Sequence, residues 1–308
     1  MELKYERYPF TNILGWSISR YEVFDKCKRQ YFYNYYGKYA TDVPSYKISQ
    51  LKNLTSVPLE TGNVVHDVLE AFLRRLQQDD TAIDEERFFD FARKKMDEYF
   101  STKTFIETYY HKTIVNREDA FKRISQCLTN FIGSSCYAWI FMKGLTNKKN
   151  WMIEPPGYGE TRLNGLKAYC KMDFLFPVDN DIYILDWKTG AKNVFKHSNQ
   201  LKGYAAAAQA NFNLATSIIY PKIIYLYPTF EEFEISISDT DLRQFFGTIK
   251  DQTNTMYTFC TNIEHNTPLA IDKFPKTPSE SICQFCNFKE LCFKDSSQIS
   301  DFNFDTTI

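Results

Sequence analysis

Asp173, Asp186 and Lys188 are the residues whose types and spacing first point to chemistry. Asp186 and Lys188 stand in ILDWKTG, residues 184–190, an acid and a base two positions apart inside an apolar run; Asp173 stands in the strand-like run before it, KAYCKMDFLF. Side chains alternate faces along a strand, so Ile184, Asp186 and Lys188 share one face and Leu185 and Trp187 the other, while Lys171, Asp173 and Leu175 share a face of the preceding run. A hairpin centred on Asp179-Asn180 would set Asp173 opposite Asp186. Two carboxylates facing each other across a ladder repel, and half-buried carboxylates are costly unless compensated. Mg²⁺ or Mn²⁺ compensates them, since such ions take one or two carboxylates and keep places for water and phosphate oxygens. Lys188 beside the ion would position or deprotonate an attacking water, or offset charge at phosphorus. The spacing alone fits a structural ion pair on a solvated sheet face equally well.

The elements that must position these residues can be read from periodicity. Residues 16–39 predict a capped, aromatic and basic helix ending near Gly37. In VVHDVLEAFLRRL the apolar positions 64, 65, 68, 69, 72, 73 and 76 form a helical stripe, with His66 in the first turn. Residues 84–143 read as mostly helical; from Trp151 strand formers take over in IEPPGYGETRL, LKAYCKMDFLFPV and DIYILDWKTG. A helix over SNQLKGYAAAAQANFNL, strands around SIIYPKIIYLYP and FEEFEISIS, and a helix from Asp239 to about Cys260 follow. This order predicts one α/β domain over 1–308, with a helical subdomain at about 67–150 and a core at about 151–262.

At 308 residues, with 44% apolar and 17% aromatic residues, the chain can bury a substantial core without disulfides. Its net charge of −1 excludes bulk polycation behaviour, so nucleic-acid binding would need a local basic face. Nothing resembles an apolar leader or a bilayer span of about 18 apolar residues, which predicts a cytoplasmic protein with no membrane partner.

Asp173 in KMDF, followed by Asp186-Trp187-Lys188-Thr189-Gly190, resembles the core of PD-(D/E)xK nucleases, with Asp173 as the first acid and Asp186 and Lys188 as the D-x-K. QLKGY, residues 200–204, resembles the Q-x3-Y motif of the RecB-like branch, and GNVVH resembles its G-x3-H motif. The resemblance implies a restriction-endonuclease-like fold, a central mixed sheet flanked by helices and carrying a helical insertion. It also implies His66 as an extra metal ligand, with the Trp187 backbone carbonyl joining Asp173 and Asp186. Gln200 and Tyr204, four apart on one helix face, would hold the lysine, the scissile phosphate or a base. Without the motifs the same pair fits a half-buried helix face, and His66 fits a surface pair with Glu70. Glu160 resembles, loosely, an acidic position of some relatives.

Cys283, Cys286 and Cys292 form a C-x2-C-x5-C run, whose first two thiolates can reach one ion or cluster. The CRISPR-associated and AddB-type exonucleases have this tail and one upstream cysteine around a 4Fe-4S cluster. The resemblance therefore supplies Cys27 as the fourth ligand, in Cys-x-Arg-x-Tyr, and implies a staple between the N- and C-terminal regions. Zn²⁺ on four cysteines remains the alternative. Cys127, Cys136, Cys170 and Cys260 read as buried thiols.

The family resemblance implies a divalent-metal-dependent deoxyribonuclease, an exonuclease with endonuclease activity also open, acting on single-stranded DNA or free ends. No G-x4-G-K-[ST] motif is present, so unwinding would come from a helicase or another recombination or defence partner. Arg20, Lys26, Lys28, Arg29, Tyr31 and Tyr35 would form a phosphate-binding and stacking lip, or pack their aromatics in the core. Lys192, Lys196 and Lys202 are further backbone-contact candidates. A catalytically inactive DNA-binding subunit and a nuclease acting on RNA are the other readings.

Overall fold

The computed structural model describes residues 8–154 and 160–293. Pro155–Gly159, within the first strand-like run after Trp151, lies outside them. The chain divides into two compact units: Met1–Thr11, Val57–Thr102 and Val115–Lys250 make the first, and Asn12–Ser56, Lys103–Ile114 and Asp251–Ile308 the second.

The first unit contains strands β1 (Met152–Ile153), β2 (Glu160–Leu163), β3 (Leu166–Tyr169), β4 (Phe174–Val178), β5 (Asp181–Lys188), β6 (Ile219–Tyr225) and β7 (Glu231–Glu234). Five of them form a mixed sheet in the order β1-β4-β5-β6-β7, in which β5 and β6 are parallel and the other pairs antiparallel. β2 and β3 form a separate antiparallel hairpin. The predicted hairpin register is observed: Phe174 pairs with Leu185 and Leu175 with Ile184, and Asp179 takes the left-handed turn conformation at φ 54° that aspartate tolerates. KAYCKMDFLF, however, is not one strand. The chain leaves β3 at Tyr169 and enters the main sheet only at Phe174, so Lys171 and Asp173 stand in a connecting segment between two sheets.

Helix α1 (Val57–Gln78) buries the predicted stripe of Val64, Val65, Val68, Leu69, Phe72, Leu73 and Leu76. It begins ahead of the Gly62-Asn63 pair, so His66 lies in the body of the helix rather than its first turn. Gly62 there reflects close approach, since a Cβ would come 3.0 Å from Thr189 Oγ1, just past the D-x-K strand. α2 (Glu85–Thr102) and α3 (Arg117–Ile132) pack with α1, and Phe131 of α3 meets Trp187 edge-on at 5.4 Å. α3 also fastens strand ends: Arg123 Nη2 donates to Thr189 O at 2.8 Å and Asn130 Nδ2 to Leu226 O at 2.9 Å.

α4 (Val194–Phe212) is capped by Asn193, whose side chain accepts from the Lys196 N–H. Ala205, Ala206, Ala207 and Ala208 are all buried, because the helix packs against both β6 and β2; Thr161 Oγ1 donates to Asn211 Oδ1 at 2.7 Å on the latter side. Only a run of small side chains allows such closeness on successive helix faces.

In the second unit the helix expected over 16–39 is two helices, Ile18–Lys26 and Lys28–Tyr36. Cys27 breaks them with extended backbone, φ −156° and ψ 111°. The break is held beyond the cysteine, where Arg29 donates from its N–H to Pro275 O and from Nε to Phe274 O at 2.9 Å. Phe24, Tyr31, Phe32, Tyr33, Tyr36, Phe274 and Phe288 form a buried aromatic core around it. The helix predicted to about Cys260 spans Asp239–Tyr257. Among the described residues no helix is long and apolar enough to cross a membrane.

Candidate functional site

Three elements of the first unit bring polar side chains to the β5 end of the sheet. His66 projects from α1, Asp173 precedes β4, and Asp186 and Lys188 end β5. His66 Nδ1 lies 3.3 Å from Asp173 Oδ2, which also accepts the Trp187 backbone N–H at 2.9 Å. Asp186 Oδ1 accepts from Tyr204 Oη and, at 3.2 Å, from Gln200 Nε2, and the Gln200 amide also donates to Tyr204 Oη at 2.5 Å. Thus the pair four residues apart on α4 grips a carboxylate rather than the lysine. Lys188 Nζ forms an ion pair with Asp186 Oδ2. His66 does not pair with Glu70, which is bonded to Arg74 at 2.7 Å.

The structure adds a residue that sequence reasoning missed. Glu154, at the end of β1, joins His66 and Asp173 in a group whose ligand atoms all lie within 4.8 Å of one another. Its N–H donates to Asp173 O at 2.9 Å, and its φ of 44° is rare for a residue other than glycine. Glu160, the weaker expectation, is elsewhere: it pairs with Arg162 at 2.8 Å and with Lys167 at 3.6 Å beside the β2–β3 hairpin. The only signal for Glu154 was an acid at the end of a short apolar run, within the strand-like stretch IEPPGYGETRL.

The electrostatics are those of a site short of cations. Burial and the neighbouring Asp173 push the Asp186 carboxyl above the ordinary range, against the pull of Lys188 and Tyr204. Burial pushes Asp173 the same way, but His66, Lys188 and the Trp187 N–H outweigh it and hold it below that range. Burial disfavours the His66 imidazolium, yet Asp173, with Asp186 behind it, raises its pKa to about 9. Asp186 Oδ2 is buried and its partner is the Lys188 ammonium. A buried carboxylate whose Oδ2 faces only an exchangeable ammonium, near three clustered O and N donors, fits a hard divalent ion.

The profile of the PD-(D/E)XK nuclease superfamily matches residues 15–293. The chain belongs to that superfamily. Among solved structures, a candidate exonuclease from Eubacterium rectale is 14% identical, with a TM-score of 0.41 over 87% of this chain and 91% of the other. A protein called SSO0001 is 16% identical, with a TM-score of 0.28 over 60% of this chain and 77% of the other. No curated protein matches the chain. The mixed sheet flanked by helices is consistent with a PD-(D/E)XK fold, with Asp186 and Lys188 on β5 and Asp173 just ahead of β4.

In the second unit of this superfamily member, Cys27, Cys283, Cys286 and Cys292 line one cavity of about 280 Å³, together with Tyr33, Phe288 and Lys289. All four thiols are free of disulfides. Burial pushes Cys286 up to about 12 and also raises Cys292. Of the expected nucleic-acid lip, Tyr31 is fully buried and Arg29 is committed to Phe274 O. Arg20 stacks 4.3 Å over the exposed Tyr35 ring. Lys192 pairs with Glu231 at 2.7 Å.

Proposed function

We propose that this chain is a metal-dependent DNA exonuclease of the RecB-like, CRISPR-associated exonuclease type, working in end processing, recombination or defence. The observation that carries the reading is the convergence of the His66, Glu154 and Asp173 ligand atoms within 4.8 Å, with the buried Asp186–Lys188 pair of the D-x-K on the neighbouring strand. His66, Glu154, Asp173 and Asp186, with the Trp187 backbone, would hold Mg²⁺ or Mn²⁺. When bound, the ion supplies Lewis acidity at the scissile phosphate and makes water a better nucleophile.

The chain's own residues do the rest. Tyr204 and Gln200 fix Asp186 Oδ1, so that only Oδ2 is left to turn towards an ion. The Trp187 N–H fixes Asp173 in the same way. Lys188, partly exposed and beside Asp186, orients the attacking water and offsets the charge that develops on the phosphoryl oxygens. The substrate is single-stranded DNA or a free end, with unwinding left to a helicase partner.

The cavity lined by Cys27, Cys283, Cys286 and Cys292 is assigned to a 4Fe-4S cluster. The C-x2-C-x5-C tail and the upstream Cys27, which line one cavity, support that reading. The deciding experiment incubates end-labelled DNA and RNA of one sequence with the protein and Mg²⁺ or Mn²⁺. Loss of DNA label in the wild type and its absence in Asp186→Ala support the reading; equal inertness of both proteins removes it.

A further inference from the structure

We propose that Lys171 is a counter-ion latch on the metal centre: it holds Glu154 in the ion-free protein, releases that carboxylate to an incoming divalent cation, and then takes a backbone phosphate of the DNA. This rests on the nuclease reading above and assigns a residue that the motif leaves without a role.

Lys171, in the segment between β3 and β4, forms an ion pair with Glu154 Oε2. The two partners sit in unlike surroundings, with 60% of the lysine side chain exposed and 13% of the glutamate. The carboxylate thus belongs to the site and the ammonium to its rim. The backbone around Glu154 is tied on both sides: Arg74 Nη2 donates to Ile153 O at 2.8 Å, and the Glu154 N–H donates to Asp173 O at 2.9 Å. Left-handed backbone at a non-glycine residue persists where its surroundings over-determine it, and it concentrates at functional sites. With its backbone fixed, Glu154 keeps only the choice of side-chain partner.

The two candidate partners differ in strength. A partly exposed lysine–carboxylate pair contributes little. A divalent ion that also gathers His66 and Asp173, whose ligand atoms already lie within 4.8 Å of the Glu154 carboxylate, outcompetes it. Lys171 then loses its partner; of the two other carboxylates that influence it, Asp173 would be engaged by the ion and Glu70 is already bonded to Arg74. The anion that next arrives at this rim is the phosphate backbone. A compact ammonium on a flexible stem suits such an exchange better than a guanidinium fork does.

The test uses the full chain, with Lys171→Met to remove the charge and keep the stem, and Lys171→Arg to keep the charge. Calorimetric Mn²⁺ affinity of the DNA-free protein is expected to tighten about two- to fivefold in Lys171→Met. That gain should vanish when Glu154→Gln is present in both proteins compared. Binding of a single-stranded oligonucleotide in Ca²⁺, with strand integrity checked, should weaken in Lys171→Met, and its log K against log salt should be shallower by about 0.7. Lys171→Arg should restore the salt slope. Unchanged or weaker Mn²⁺ binding in Lys171→Met, or an unchanged salt slope, overturns the proposal. Failure of the wild type to degrade DNA would instead remove the nuclease reading, and the two binding measurements would still decide on the latch.

Discussion

Asp186 divides its two oxygens between different partners, Oδ1 held by Tyr204 and Gln200 and Oδ2 by the Lys188 ammonium alone. Removing the phenol in Tyr204→Phe should therefore loosen a ligand rather than remove one. Mn²⁺ affinity is expected to fall about 10- to 100-fold with the circular dichroism spectrum unchanged, and titration calorimetry checks it. His66 supports a prediction about pH. In the ion-free protein its pKa rises from 6.5 to about 9. The His66–Asp173 pair is thus fully stabilising below about pH 6.5 and fades as pH climbs through about 9. An arriving ion must displace that proton, so Mn²⁺ affinity should increase with pH across this window, by up to about tenfold per unit. Calorimetry in buffers of different ionisation enthalpy should show close to one proton released per ion; affinity flat over the window would remove His66 from the ligand set.

At the scale of elements, α4 works as a spacer. Its four consecutive buried alanines let it approach β6 and β2 closely enough for Tyr204 to reach Asp186. Ala206→Leu should overpack that contact and cost about 1–3 kcal/mol, read as a lower urea midpoint with unchanged m-value. The alternation in ILDWKTG and the helical stripe of α1 were legible because each follows one period, 2 or 3.6, without interruption. The same reasoning ran Lys171 and Asp173 into a single strand, because Cys170 and Met172 are apolar and buried and mimic strand alternation although the backbone is passing between two sheets. Glu154 was illegible for a related reason: β1 is two residues long and carries no periodicity, and the acid becomes a site residue only through backbone hydrogen bonds to distant segments. The motif singled out Cys27 but said nothing of its conformation, since nothing local announces the helix break held by the Phe274 and Pro275 carbonyls.

For the whole molecule, the proposed cluster makes the second unit the part expected to depend on something outside the chain. Four buried or half-buried thiols line one cavity of about 280 Å³, and a metal group held there, as proposed, would contribute to folding directly. Anaerobically purified protein should be brown and contain iron; Cys286→Ser should lose both the colour and several degrees of Tm, and a colourless wild type containing zinc would replace iron–sulfur with a single ion. The layout of this unit has a temporal side as well. Arg29 and the Phe274 carbonyl that anchors it are separated by 245 residues. At ribosomal speeds of about 5–20 residues per second, the segment bearing Cys27 waits roughly 12–50 s for its other half to be made. Throughout that interval its aromatic rings lack their later-made partners Phe274 and Phe288, so this segment stays exposed until the C-terminal half of its core is made.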